Sequence, residues 1–121
     1  MSERTITYLE DEGIVWVRTS GTYVLAAEIE TLKKALEMAR GKNCKKLLFD
    51  HRKARVVAPT MESFDRPSVY RGLGFDSSFR VASLLTDICE DLRFYETVCV
   101  NRGWNMKVFD DFDSAMGWLE G

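Results

Sequence analysis

The chain's one histidine, His51, follows Asp50 and precedes Arg52, Lys53 and Arg55, the densest group of chemically able side chains in the sequence. A carboxylate can orient an imidazole as a general base, and Thr60 or Ser63 downstream would then serve as nucleophile. Neighbouring residues on a strand point to opposite faces, however, so Asp50 and His51 would face each other only across a sharp bend. The sequence has neither a GxSxG elbow nor an oxyanion loop. A solvated loop histidine is the expectation, and hydrolase or phosphotransfer chemistry is not.

Acids follow several strands. Asp50, Asp87 and Asp110 could supply hard oxygen ligands to magnesium if they converged. Helix capping accounts for Asp87 and Asp113 more simply, and acids are common turn residues. Cys44, Cys89 and Cys99 include no CxxC pair, so a zinc site would need ligands from scattered elements. They read as small, partly buried thiols of a reducing compartment. No metal or other cofactor is expected.

The basic group His51, Arg52, Lys53 and Arg55 suits an anion or a partner surface, and Thr60 heads a helix whose exposed amides attract anions. A net charge of −2 gives no global attraction to nucleic acid. Apolar runs are far shorter than the roughly 20 residues that span a bilayer, and no signal-peptide pattern opens the chain, so a cytoplasmic location is expected. Val56, Val57 and Ala58, with Met61, Phe64, Tyr70, Leu73 and Phe75, either fold onto the sheet or rim an apolar groove for a ligand or a second copy of the chain. The second alternative motivates the expectation of a homodimer.

These residues need a frame. Residues 5–10 alternate in polarity and 14–17 are β-branched and aromatic, predicting an opening hairpin with its first strand at an edge. Leu25, Ile29, Leu32, Leu36 and Ala39 lie at helical spacing, with Gly41 as a stop. Leu47–Phe49 reads as a buried strand surfacing at Asp50, followed by a basic loop. A helix is expected from Thr60, broken by Pro67 and ending near Gly72 or Gly74. Residues 81–85 form the next strand, Asp87 with Glu90 starts a helix carrying Ile88, Leu92, Tyr95 and Cys99, and 106–109 form the last strand. Asp113 caps a closing helix. At 121 residues this fits one domain over 1–121, an α/β fold with a mixed, mostly parallel sheet and about four helices. Ligands of such sheets bind beyond the strands' carboxyl ends, which draws attention to Thr86 as well as to 50–64.

Three passages carry a resemblance: KKLLFD with the later PTMES, FRVASLL, and the ending NMKVFDDFDSAMGWL with Ala115, Trp118 and Leu119. In this order they resemble the STAS domain fold, specifically the SpoIIAA-like group of small bacterial proteins, over about residues 5–119. The resemblance implies a cytoplasmic regulatory or ligand-binding module. Anti-sigma-factor antagonists of that superfamily bind a partner kinase around the helix after the third strand, and phosphorylation of a serine in a D-S-S-G-like context there releases it. Between Asp50 and Leu73 this chain has no D-S-S-G; Thr60 and Ser63 are the hydroxyls nearest the corresponding helix start. The expected function is therefore a non-enzymatic STAS-like module recognising a protein partner or small ligand through Asp50, His51, Arg52, Arg55, Thr60, Ser63, Phe64 and Thr86. The alternative is a carrier of an apolar or amphipathic, lipid-like molecule in a pocket under helix 60–73.

Overall fold

A computed structural model describes residues 3–24, 28–57 and 71–120. Five strands, β1 (Glu3–Leu9), β2 (Ile14–Val24), β3 (Lys46–Val57), β4 (Arg80–Leu84) and β5 (Asn105–Phe109), form one sheet in that spatial order. β1 and β2 pair antiparallel and every later pair is parallel. Among the described residues the helices are α1 (Ile29–Gly41), α2 (Glu90–Asn101) and α3 (Phe112–Glu120). The helix expected from Thr60 lies outside the described residues except for helical positions 71–73.

The two-residue period of the strands sorts the core into two layers. Val15, Val17, Leu47, Phe49 and Val108 meet Leu32, Ala35 and Leu36 of α1 and Leu92, Tyr95 and Cys99 of α2. Ile14, Leu48, Ala82 and Leu84 meet Ala115 and Leu119 of α3 on the other side. Burial on both faces explains why Leu47, Leu48 and Phe49 run without a polar break.

The hairpin turn closes through Gly13 N–H to the Leu9 carbonyl at 2.8 Å, with Gly13 at φ 69°, a conformation that favours glycine. Three expectations of detail are corrected. The thiol of Cys89 is exposed rather than partly buried. α2 has Cys89 at its N-cap with no side-chain cap, so Asp87 does not cap it. α3 is capped by Asp111, whose Oδ2 accepts from Ser114 N–H at 2.8 Å, while Asp113 sits within its first turn.

The largest correction concerns strand length. β2 continues through Ser20, Gly21 and Thr22, and β3 continues through the basic segment to Val57, because the two extensions pair with each other from Ser20 opposite Lys53 to Val24 opposite Val57. On β3, β4 pairs only with Lys46–Asp50. The paired ends of β2 and β3 thus run on past β4, and the residues expected in a loop belong to a strand.

Candidate functional site

The β2–β3 ladder has one irregularity, and it lies at the chemically able residues. Arg18 pairs with Asp50 and Ser20 with Lys53, so His51 and Arg52 together stand opposite Thr19. Such an extra residue bends the strand and re-aims the side chains after it. Asp50, Arg52 and Lys53 consequently line the sheet face that bears α3, while His51 lines a cavity on the face of α1 and α2. Ala54 and Val56 follow His51 onto that inner side.

On the outer side, Asp50 is held by four hydrogen bonds. Arg52 donates from Nε to Oδ1 at 2.9 Å and from Nη2 to Oδ2 at 2.7 Å, its own backbone N–H donates to Oδ1 at 3.2 Å, and Trp16 Nε1 donates to Oδ2 at 3.2 Å. Burial pushes the Asp50 carboxyl upward, but the Arg52 hydrogen bonds and charge and the Trp16 bond together outweigh it and hold the group below its ordinary value. The same hydrogen bond to Asp50 raises the Arg52 guanidinium against a smaller desolvation effect. Arg18 lies over the Trp16 ring at 4.5 Å and Arg52 over Phe112 at 5.2 Å. Since α3 packs on β3, β4 and β5, a groove of about 510 Å³ remains over β1, β2 and the extended part of β3, lined by Glu3, Thr5, Trp16, Arg18, Arg52 and Lys53.

On the inner side His51 is only 1% exposed, which overturns the solvated loop histidine. Its Nδ1 lies 2.7 Å from Thr19 Oγ1, and its ring lies between Tyr23, at 4.2 Å between centroids, and Phe49, at 6.2 Å. Arg4 sits over the Tyr23 ring at 5.1 Å and is tied to Glu28 at 2.7 Å and to the Ser20 and Thr22 carbonyls. Burial pulls the His51 pKa down to about 4; the nearby Asp50 charge opposes this and the Arg4 charge adds to it. The imidazole is therefore neutral near pH 7. Phe75, Ser83, Cys99, Trp104 and Asn105 complete a cavity of about 70 Å³ with Tyr23 and Tyr95. Burial also pushes the Cys99 thiol up to about 11, against a hydrogen bond from Tyr95.

Asp50 and Arg52 are brought together; His51 is carried away from them to the opposite face. Asp50 does not surface but is 5% exposed. Arg55 is exposed on the extended part of β3, and Thr86 is exposed just past β4 without lining either concavity. Thr60, Ser63 and Phe64 lie outside the described residues. Leu73 and Phe75 pack into the core with Val56, and Val57 is 36% exposed; Ala58, Met61, Phe64 and Tyr70, the other apolar residues behind the homodimer expectation, lie outside the described residues. Among the described residues no three His, Cys, Asp or Glu groups converge as a metal site, and no helix is long and apolar enough to cross a membrane. Sequence reasoning missed Trp16, Arg18, Thr19 and Ser83. The alternation Trp16, Arg18, Ser20 against Val17, Thr19 carries the signal for two of the surfaces, once β2 is allowed to run past Thr19.

The chain aligns in three dimensions over 100% of its length with 96% of an anti-sigma factor antagonist from Mycobacterium paratuberculosis, at a TM-score of 0.62 and 9% identity. It also aligns over 98% of its length with 93% of a Shewanella loihica protein described as having a SpoIIAA-like fold, at a TM-score of 0.60 and 19% identity. The fold is SpoIIAA-like. At such identities the likeness is one of architecture, and the SpoIIAA-like frame implied by the three sequence passages is the one found. No family model matches the sequence, and no curated protein matches it significantly.

Proposed function

We propose that this chain is a non-enzymatic regulatory binding module that recognises an acidic surface on a protein partner through the open face of β1, β2 and β3. The observation that carries the reading is the charge left over on that face. Arg52 is engaged by Asp50, whereas Arg18, Lys53 and Arg55 have no ion-pair partner among the described residues. Arg18 stacked on Trp16 supplies the aromatic and arginine chemistry enriched at interface hot spots. The anti-sigma factor antagonist of similar fold is named for action on another protein, which supports a protein as partner. The Asp50–Arg52 pair keeps this face in shape and takes no part in a reaction.

Site-specific photocrosslinking tests the proposal. A benzophenone side chain at Arg18, compared with one at the exposed Lys34 of α1, is expected to give a discrete protein adduct only at position 18. Binding of the purified adduct partner should weaken in Lys53→Glu/Arg55→Glu and as salt rises. Equal adducts at both positions, or salt-independent binding, overturn the reading.

A further inference from the structure

The inner cavity has no part in that contact surface, and its lining is selective. We infer that it is a binding site for a small neutral alcohol, whose hydroxyl donates to His51 Nε2 while its apolar end lies among Phe49, Phe75, Tyr95 and Trp104. The occupant's charge follows from the walls. None of the described residues lining the cavity is Asp, Glu, Lys or Arg, so a charged occupant would lose its hydration without an ionic partner. His51 is uncharged near pH 7 and so offers an anion no ionic partner.

The hydrogen-bond direction follows from Thr19. Its hydroxyl lies 2.7 Å from His51 Nδ1 and 3.4 Å from the Asp50 carbonyl oxygen. Thr19 has one proton, and both contacts are satisfied only if it donates to the carbonyl and accepts from Nδ1–H. That tautomer makes Nε2 an acceptor. Among the described residues Nε2 has no hydrogen-bond partner, although the residue is 1% exposed and lines the cavity. Ser83, 4% exposed on the same wall, offers a hydroxyl that can donate back to the ligand oxygen. A buried ring fixed at one nitrogen and open at the other is built to orient a polar group.

Size follows from volume. The cavity measures about 70 Å³, less than half of the roughly 150 Å³ of an engineered apolar cavity that takes benzene. A ligand of a few heavy atoms fits and an acyl chain does not; the pocket under helix 60–73 of the carrier alternative lies outside the described residues. Exposed Asn105 on the lining marks where the cavity reaches the surface.

The test is an NMR titration of the full chain with ethanol, dimethyl ether and formate, which match in size but differ in O–H and charge. We expect ethanol to shift the Ser83, Cys99 and Asn105 amides saturably at tens of millimolar, on the order of the ceiling for so small a ligand, the ether to bind about tenfold more weakly, and formate not to saturate. His51→Phe should abolish the preference for alcohol over ether. Thr19→Val, which leaves the ring in place but removes the partner of Nδ1, should narrow it to about twofold and carries the test if His51→Phe does not fold. Equal binding of alcohol and ether, no saturable shift with ethanol, or an undiminished preference in Thr19→Val overturns the assignment. The partner surface on the opposite face stands or falls separately through the crosslinking experiment.

Discussion

Replacing Arg52 with alanine should expose the balance that holds the outer face together. The change deletes the two shorter hydrogen bonds to Asp50, at 2.7 and 2.9 Å, and leaves the carboxylate with the backbone N–H of residue 52 and Trp16 Nε1, both at 3.2 Å. A hydrogen bond to a charged group contributes about 1.5–3 kcal/mol where it is buried. Because the Arg52 side chain is 44% exposed, solvent screens the pair, and the two bonds together are worth about 1.5–2 kcal/mol at pH 7. For a chain of this size that loss lowers Tm by roughly 6 °C.

The pH dependence separates this account from a simple loss of packing. In the wild type, Asp50 is held below its unfolded value, so its contribution is fully present above pH ~4 and is lost as pH falls through the folded pKa. In Arg52→Ala the side-chain hydrogen bonds and the charge that lower the carboxyl are lost while burial, which raises it, remains, so the Asp50 pKa rises relative to the wild type and the variant's deficit exists only while Asp50 is charged. Urea melts at pH 7, 5, 4 and 3 should therefore show a stability gap that closes toward pH 3. Arg52→Lys keeps the charge but not the two-pronged geometry and should restore less than half of the gap. A gap that stays constant across this range would refute the reasoning and leave the contact of Arg52 with Phe112 as the cause.

Other outcomes follow from the inner face and the chain's geometry. His51, with a folded pKa of about 4 against about 6.5 unfolded, adds about 3 kcal/mol above pH 6.5 that is lost as pH falls from 6.5 to 4; the His51 ring proton shift should stay flat above pH 5, and His51→Gln should flatten the stability slope over that window. Iodoacetamide at pH 8 should label only the exposed Cys89 in native protein, because Cys44 and Cys99 are buried and the Cys99 thiol titrates near 11; intact mass spectrometry should count one adduct. Gly74 has φ 112°, and a Cβ there would meet Leu36 Cδ2 at 3.2 Å as well as the mobile end of Arg40; thermal melts of Gly74→Ala should show a loss of about 1–3 kcal/mol, set mainly by the backbone conformation.

Much of the frame is written in periodicity. Leu32, Leu36 and Ala39 give α1 its buried stripe, and Leu47, Leu48 and Phe49 announce a strand covered on both sides, because burial demands apolar groups at each of those places. Ile6 and Tyr8 likewise declare the inward face of β1. The long ends of β2 and β3 are not legible in the same way. Ser20, Gly21 and Thr22 have turn chemistry, and His51 to Arg55 has loop chemistry, yet the segments satisfy each other's backbone groups over nine residue pairs that include this stretch. Tertiary pairing overrides local preference there.

The extra residue opposite Thr19 shows why the site itself was the hardest part to read. Strict alternation correctly separates Asp50 from His51, but it also predicts that Arg52 and Lys53 point to opposite sides. The irregularity places both on the outer groove and still returns Ala54 and Val56 to the core. One inserted position thereby gathers cations on a face that α3 leaves open and buries a neutral imidazole behind them. The adjacent letters of Asp50 and His51 suggest a catalytic pair; the fold uses them as a partition, with a carboxylate serving the surface and a histidine serving the cavity.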